Sequence, residues 1–360
     1  MGVLDRALTA ARGEEPDKVP VVLQVYSLVL KRLVGVTEYE YYQNSELQLK
    51  AKMAFQERFP EVLNVGMGML PEYGEFVGPL PTAFGANLEW MSDAPPYVVN
   101  YPIKDPEDVD RLVESGIPDP REQGVSVEIL SRLEKFMDEF PKELQERYWY
   151  VDGNIQAGAY IEGAALTMGY DRFLIWLRLH PKTLHKWLSF ATDWYLEYCK
   201  AIEEVVGKCK VLWVPDHSPS MVGERQFREF LLPYLNKVFD KYPNALKIWH
   251  NEGSVGHMLK AVDEIKADVW HFGPFDDPVQ CKRQTHFCLQ GNLHPPWLTR
   301  NSPKDIEELC KDLILKIAEG GGFWLSTGGG MAPDTPFENI QAILTASDTY
   351  GEYPIRSESP

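Results

Sequence analysis

Short apolar runs alternate along the chain with polar turns and amphipathic helical segments. The runs are rich in Val, Ile, Leu, Trp and Phe, which is typical of parallel strands buried on both faces. Eight such runs lie at Lys18–Tyr26, Glu61–Met69, Arg147–Ile155, Lys210–His217, Ala245–Glu252, Val269–Gly273, Phe287–His294 and Gly322–Thr327. Eight strands separated by helices predict an α/β protein with a (β/α)8 TIM-barrel fold. The rival, a doubly wound open sheet, usually has a glycine-rich first turn, which Gln24-Val25-Tyr26-Ser27 lacks.

Several predicted helices begin with a capping signal. A side-chain acceptor precedes proline at Asp105-Pro106, Ser302-Pro303 and Thr335-Pro336, and an acidic residue follows three positions after each acceptor. This pattern predicts an N-cap at Asp105, Ser302 and Thr335. Between Pro181 and Val206 the apolar residues recur at helical spacing, so one long helix with a buried face is predicted there.

One segment interrupts the alternation. Pro71–Tyr101 is rich in proline, glycine and aromatic residues, and contains two strand-like pieces, Phe84–Trp90 and Tyr97–Tyr101. We expect a hairpin insertion at 71–101, within a single barrel domain that spans 1–360. Its position predicts either a lid over the barrel mouth or a surface decoration.

Composition narrows the function classes. The net charge of −17 argues against nucleic acid and anionic membrane surfaces as partners, because an acidic field repels both. The 5 cysteines form no CxxC pair, which favours a reducing cytoplasm over secretion. Met1–Gly13 holds no apolar run of signal-peptide length, and no segment reaches transmembrane length. A soluble cytoplasmic enzyme is expected, and a homodimer is left open.

Polar residues gather where the predicted strands end. In a barrel the carboxyl ends of all strands meet at one face, which is where such enzymes keep their active sites. Four of the 8 histidines, His217, His250, His271 and His294, fall at these ends. The candidate substrate-binding residues are Gln24, Tyr26, Asp152, Asn154, His217, Trp249 and Asn292.

The most informative strand end is His250-Asn251-Glu252. Alternate strand residues face the same side, so His250 and Glu252 can converge on a zinc ion or orient each other for proton transfer. We therefore assign both as catalytic and metal-binding residues. Asp216 is a candidate third oxygen ligand or general acid, and His294, followed by two prolines, is a candidate proton donor. His271 is given little weight, because a core histidine with satisfied hydrogen bonds explains it equally well.

Several motifs resemble those of the uroporphyrinogen-decarboxylase superfamily. Gly291-Asn-Leu-His-Pro295 is similar to its GN(L/V)DP turn, and Phe227-Arg-Glu-Phe-Leu-Leu-Pro-Tyr234 to its F-x-E-F-x-x-P-Y helix. The segments that begin at Asp152 and at Gly321 resemble its central and carboxyl-terminal strands. Together these motifs run from about Val19 to the C-terminus. The resemblance implies a (β/α)8 barrel, in agreement with the strand count.

Departures from the family motifs separate its two main activities. The decarboxylases carry an arginine-rich segment after the first strand, and Leu23–Lys31 lacks its RQAGRY pattern, so the clamps for porphyrinogen carboxylates are missing. The corrinoid-dependent methyltransferases that act on thiols bind zinc through an H-x-C pair and a later cysteine. This chain keeps His250 but has Glu252 and Gly329 at the two cysteine positions. An imidazole and a carboxylate make a harder site, suited to an oxygen ligand.

The resemblance therefore implies an O-demethylase type of methyltransferase. It would transfer a methyl group from a small methylated substrate, a phenyl methyl ether, to the Co(I) corrinoid (cobalamin) of a separate protein, with zinc or a protonated side chain stabilising the leaving oxygen. Three alternatives remain: a quaternary amine such as a betaine as substrate, a decarboxylase with a rearranged anion site, and a non-catalytic barrel that binds a tetrapyrrole or a protein.

Overall fold

Eight parallel strands form one curled sheet in the computed structural model, which describes residues 1–355. The strands of this sheet are β1 (Val21–Leu23), β2 (Val62–Asn64), β5 (Asn154–Ile155), β6 (Val211–Pro215), β7 (Leu246–Asn251), β8 (Val269–Phe272), β9 (Cys288–Leu293) and β10 (Phe323–Thr327). Their order is β2-β1-β10-β9-β8-β7-β6-β5, and the ladders between neighbours are parallel. Each predicted run contains one of these strands, so the predicted TIM-barrel fold is confirmed.

The barrel is completed by side chains where the backbone ladder stops. Strands β2 and β5 stand at the two ends of the order, and within residues 1–355 no ladder joins them. The Asn154 side-chain amide on β5 donates instead to the sulfur of Met69, 3.3 Å away in the turn after β2. Both residues are buried, so this side-chain contact spans the gap between the end strands.

Strand register decides which side chains become neighbours inside the barrel. His250 on β7 pairs with Pro215 on β6 and with His271 on β8. Trp249 pairs with Trp270 in the same ladder, one position away. Because successive strand residues point to opposite faces, the two histidines lie side by side on one face and the two tryptophans on the other.

Helices flank the sheet and follow most of its strands. They span Val3–Ala11, Ser27–Val34, Glu38–Gln43, Ser45–Arg58, Pro79–Ala83, Pro106–Glu114, Ser126–Glu139, Lys142–Tyr148, Tyr160–Leu166, Tyr170–Leu179, Pro181–Val206, Glu224–Gln226, Leu232–Phe239, Leu259–Val262, Pro278–Gln284, Trp297–Arg300, Pro303–Ile317 and Phe337–Tyr350. Shorter 3-10 turns lie at Gly66–Met69, Ser218–Met221 and Gly256–Met258, and a π-helical turn at Phe227–Leu231. Within residues 1–355, no helix is long and apolar enough to cross a membrane.

The capping predictions hold at two of three helices. Asp105 and Ser302 each accept a hydrogen bond from the backbone N–H three residues on, in complete capping boxes. The prediction for Thr335 is wrong, because the helix begins at Phe337 and the Thr335 hydroxyl donates to the carbonyl of Ala332. The long helix Pro181–Val206 is confirmed, with a buried face of apolar and aromatic residues.

The segment between β2 and β5 contains the predicted hairpin. Strands β3 (Asn87–Glu89) and β4 (Tyr97–Val99) pair antiparallel. Trp90, just after β3, packs against Tyr73 and Tyr42 at ring-centroid distances of 4.8 and 5.8 Å. These contacts hold the hairpin beside the carboxyl ends of the first barrel strands.

Candidate active site

A cavity of about 210 Å³ opens at the carboxyl end of the barrel. Its walls combine strand-end residues with residues of the segment that carries the hairpin. It is lined by Gln24, Tyr26, Tyr42, Met67, Phe76, Val77, Pro95, Pro96, His217, His250, Glu252 and Gly330. Pro95 and Pro96 come from the connection between β3 and β4, so the hairpin forms one wall of the cavity.

Three side chains converge inside this cavity. One ligand atom each of His217, His250 and Glu252 lies within 4.8 Å of the other two. The Nε2 atoms of the two histidines are 3.2 Å apart, and Glu252 Oε1 lies 3.9 Å from His217 Nε2. His250 is only 2% exposed, whereas the side chains of His217 and Glu252 are 20% and 44% exposed. The cluster therefore has a buried base and an edge open to the cavity.

Local backbone geometry explains this convergence. His250 is the fifth residue of β7, and Glu252 follows two positions later, so the two side chains can point to the same side. His217 follows the end of β6, the strand next to β7. The backbone N–H of Asp216 donates to the carbonyl of His250, 2.9 Å away, which fixes the chain at this point. Parallel pairing thus brings both histidines to one rim.

Each histidine of the cluster has a buried polar neighbour behind it. Glu162 Oε2 lies 3.1 Å from His217 Nδ1, and the Tyr170 hydroxyl donates to Glu162 Oε1 at 2.7 Å. On the other side, Nδ1 of His250 lies 2.8 Å from Nδ1 of His271. These contacts orient both imidazole rings so that Nε2 of each faces the cavity.

The two histidines differ in charge because their neighbours differ. Burial opposes a charged His217, but Glu162 and the nearby Glu252 and Asp216 outweigh it and raise its pKa to about 9. Burial lowers the pKa of His250 well below its usual value, and His271 and His217 lower it further. Burial also lowers the pKa of His271, to about 4. Near pH 7 a metal-free site therefore holds one charged and two neutral imidazoles.

The carboxyl groups around the cavity are shifted in opposite directions. Burial, with a contribution from Glu162, raises the pKa of Asp216 to about 7. Burial also raises the pKa of Glu252, against the opposing effect of His217. Burial favours a higher pKa for Glu162, but the contacts with His217 and Tyr170 outweigh burial, so the pKa of Glu162 is lowered. Glu162 is thus the ionised partner of His217.

The donor set of the cluster fits a divalent cation. Two imidazole nitrogens and one carboxylate oxygen are the ligands that a catalytic zinc site uses, with a fourth position left for substrate or water. The three donor atoms lie within 4.8 Å of one another, and the exposed edge at Glu252 leaves room for a fourth ligand. In the absence of a metal the same atoms can hold and exchange a proton between His217 and His250.

The structure brings part of the predicted catalytic set together. His250 and Glu252 meet, as the alternation of strand residues predicted. The third member is His217, which we had assigned to substrate binding, rather than Asp216. Asp216 is fully buried, and its Oδ1 accepts the backbone N–H of Ser218 at 3.0 Å. The cluster does not include Asp216, and its predicted role as third oxygen ligand or general acid stays a prediction.

His294 and Asn292 occupy the rim rather than the cluster. The His294 ring stacks on Trp297 at 5.5 Å and meets the edge of Phe275 at 5.8 Å. The Asn292 amide donates to the carbonyls of Gly273 and Asp276, and so holds the loop after β8. The cavity lining includes neither residue, so the structure gives no support to a proton donor at 294 or a substrate contact at 292.

Three predicted substrate contacts lie elsewhere. Asp152 precedes β5 and pairs with Lys210 at the start of β6, which places it at the amino end of the barrel. Asn154 faces the barrel interior beside Met69. Trp249 is fully buried on the outward face of β7, stacked on Trp270. These assignments are corrected: Asp152 lies at the wrong strand end, Asn154 is inside the barrel, and Trp249 points to the wrong face. Gln24 and Tyr26 do line the cavity.

Sequence reasoning missed Glu162 and underrated His271. Glu162 sits in Tyr160–Leu166, where the other residues are apolar or small, and such an isolated acid in a buried helix was a usable signal. His271 is flanked by Trp270 and Phe272, and its register with His250 becomes visible only in the sheet. The role of His217 as a cluster member was masked by the more conspicuous Asp216 beside it.

The chain is similar to known proteins over nearly its whole length. Residues 4–350 match the family model described as uroporphyrinogen decarboxylase (URO-D). The uroporphyrinogen decarboxylase of Prochlorococcus marinus is 26% identical over 355 residues, covering 94% of this chain and 95% of its own. A methylcobamide:CoM methyltransferase of Methanosarcina barkeri is 26% identical over 362 residues, covering 96% and 97%. The fold is shared with a methyltransferase from Methanosarcina mazei, at 23% identity, a TM-score of 0.77 and coverage of 97% and 98%. The chain therefore belongs to the uroporphyrinogen decarboxylase (URO-D) family.

Proposed function

We propose that this protein is a corrinoid-dependent methyltransferase that moves a methyl group from a small methylated substrate to the corrinoid of a separate partner protein. The observation that carries the proposal is the convergence of His217, His250 and Glu252 within 4.8 Å in the cavity at the barrel mouth. The relative from Methanosarcina barkeri that is named as a methylcobamide:CoM methyltransferase supports the same reaction class.

In this proposal His217, His250 and Glu252 would hold a zinc ion. When bound, zinc supplies a Lewis acid that stabilises negative charge on the oxygen from which the methyl group departs. The protein residues fix the position of that charge: Glu162 orients His217, and His271 orients His250. A poor leaving group such as a phenolate needs this stabilisation, whereas a neutral amine leaving group does not.

The cavity wall favours an aromatic methyl ether as substrate. Tyr26, Tyr42, Phe76 and Met67 line it, and the Phe76 ring stacks on the His217 ring at a centroid distance of 5.6 Å. An aromatic ring between these side chains would be desolvated and held with its ether oxygen toward the cluster. Pro95 and Pro96 would close the outer side and exclude water.

The residues around the cavity also weigh against decarboxylation of a porphyrinogen. That substrate carries many carboxylates, and enzymes bind carboxylates with arginine or lysine. Neither residue type is among those that line the described cavity. A betaine remains the second substrate class, because aromatic rings bind quaternary ammonium groups, but it would need no metal.

The test combines metal analysis with methyl transfer. Purified protein is expected to contain zinc at about one equivalent, and to demethylate members of a panel of phenyl methyl ethers when a reduced corrinoid protein is supplied. His217→Ala, His250→Ala and Glu252→Ala should each lose zinc and activity, whereas His185→Ala, a histidine outside the cavity, should lose neither. Demethylation of a betaine without zinc would replace the ether, and release of carbon dioxide from a porphyrinogen would overturn the proposal. Methyl transfer that survives all three substitutions would also overturn it.

A further inference from the structure

A chain of buried polar contacts passes through the two histidines of the cluster, His217 and His250, and both of its ends lie outside the cavity. From one side it runs from Tyr170 to Glu162 and then to His217. From the other it runs from the carbonyl oxygen of Thr327 to His271 and then to His250. Glu162 and His271 do not line the cavity, and both are buried. Their role must therefore act through the two cluster histidines.

An imidazole can bind a metal only through a nitrogen that carries no proton. A neutral histidine has one N–H, so a hydrogen bond that requires the proton on Nδ1 leaves the lone pair on Nε2. The hydrogen-bond partner of Nδ1 thus decides whether Nε2 presents a lone pair or an N–H to the cavity. Partners of this kind orient the metal-binding histidines of many zinc sites.

The carboxylate Glu162 fixes the proton of His217. An ionised carboxylate can only accept, and Glu162 Oε2 lies 3.1 Å from His217 Nδ1. This charge contact favours a proton on Nδ1 of His217. The Tyr170 hydroxyl donates to the other carboxylate oxygen and holds it in place. When the charged His217 releases one proton to bind a metal, that proton therefore leaves Nε2, which becomes the ligand atom.

His271 likewise determines which nitrogen of His250 carries the proton, and the surroundings of His271 are compatible with either tautomer. Nε2 of His271 lies 3.0 Å from the carbonyl oxygen of Thr327, which can only accept, and 3.1 Å from the backbone N–H of Gly329, which can only donate. If Nε2 of His271 donates to Thr327, its Nδ1 accepts from His250, and Nε2 of His250 has a free lone pair. If Nε2 accepts from Gly329, Nδ1 of His271 donates, and His250 presents an N–H on which no metal can bind.

We propose that Glu162 and His271 are the positioning residues of the metal site. Each accepts a hydrogen bond from the Nδ1–H of one cluster histidine, so that the two Nε2 atoms present lone pairs to the cavity. In the metal-bound protein His271 holds its own proton on Nε2 and donates it to Thr327. The inference rests on the proposed metal site but concerns residues that do not touch the metal.

The first test measures zinc affinity in a competition titration with a chromophoric chelator. Glu162→Leu and His271→Phe keep volume but remove the acceptor, and each is expected to weaken zinc binding by about 10- to 100-fold. Glu162→Gln and His271→Asn keep an oxygen acceptor near the same place and should recover most of that loss. Asp263→Leu is the control, because Asp263 makes the same carboxylate–histidine contact with His286, 2.8 Å long, on the protein surface. It should leave zinc affinity unchanged.

The second test is independent of the variants. Nitrogen-15 NMR of histidine-labelled wild-type protein with zinc should show His271 protonated on Nε2 and bare on Nδ1, with His250 protonated on Nδ1. A zinc-loaded protein in which His271 is protonated on Nδ1 overturns the inference. The inference is also overturned if Glu162→Leu and His271→Phe bind zinc as the wild type does while His217→Ala and His250→Ala lose it. The proposed metal site would then hold without the positioning role of Glu162 and His271. Wild-type protein that binds no zinc overturns both.

Discussion

Gly329 leaves open the space that the carboxylate of Glu252 occupies. A Cβ atom built on Gly329 would lie 1.6 Å from Glu252 Oε2, and the backbone there has a φ of +113°. A side chain at position 329 and the glutamate at position 252 therefore exclude each other. Positions 252 and 329 are the two at which the motif resemblance implied cysteines, and this geometry connects them.

Gly329→Ala should displace Glu252 and weaken zinc binding, with a loss of stability of about 1 kcal/mol from the strained backbone. Zinc titration and thermal unfolding check the two effects separately. Gly320→Ala is the matched control, because its φ is +77° but a Cβ there meets nothing within 4 Å. It should cost similar stability and leave zinc affinity intact. Equal zinc affinity in the two variants would show that Glu252 does not need the space.

Phe76→Ala should raise the KM for an aromatic methyl donor by about 10-fold, since the half-buried ring would lose part of the roughly 1.5–3 kcal/mol that full burial of such a side chain contributes. The change in KM for an aliphatic donor should be smaller. The comparison variant is Phe275→Ala, because Phe275 is 69% exposed on the rim and outside the cavity. Steady-state kinetics with both donors measures the difference. An equal rise for both donors would remove the support for an aromatic substrate.

Glu75→Gln should make the protein more stable at alkaline pH. Burial and the nearby Glu72 raise the pKa of Glu75 in the folded protein, and its Oε1 has no hydrogen-bond partner among the described residues. A raised folded pKa gives stability that is complete below the unfolded value, about 4.3, and is lost as pH rises through the folded value. The wild type should therefore lose stability from pH 5 upward relative to Glu75→Gln.

Urea unfolding across that pH range tests this expectation. Glu57→Gln, at an exposed helical position, serves as the control and should follow the wild-type curve. A Glu75→Gln curve that runs parallel to the wild type at every pH would contradict the assignment.

Trp249→Phe should lower the free energy of unfolding by roughly 1–3 kcal/mol without changing zinc content. The side chain is fully buried and stacked on Trp270, so its loss affects the layer between sheet and helices. Trp297→Phe is the control, since Trp297 is 45% exposed and should cost little stability. Chemical unfolding and metal analysis give the two readouts. Loss of zinc from folded Trp249→Phe protein would contradict this expectation and support a role for Trp249 in the active site.

The barrel could be predicted from the sequence because the features that specify its strands and helix starts are local in the chain. Each buried strand shows as a short apolar run, and Asp105 and Ser302 are capped by residues three positions away. The pairing of His250 with Glu252 belongs to the same class, because alternation along one strand places both on one side. The sequence by itself thus determined the number of barrel strands, the helix starts at Asp105 and Ser302, and two of the three cluster residues.

Tertiary structure decided the rest, because those contacts join residues far apart in the chain. The neighbours His250 and His271 follow from the register of β7 against β8, and a shift of one residue would have placed Trp270 beside His250 instead. Glu162 reaches His217 across 55 positions, since its helix packs over the carboxyl end of the barrel. Asp152 and Asp216 show the converse: both were candidates because they follow or end predicted strands, but Asp152 pairs with Lys210 and Asp216 accepts the backbone N–H of Ser218. Side-chain direction at a strand end depends on one or two backbone angles, which the pattern of hydrophobic residues does not encode.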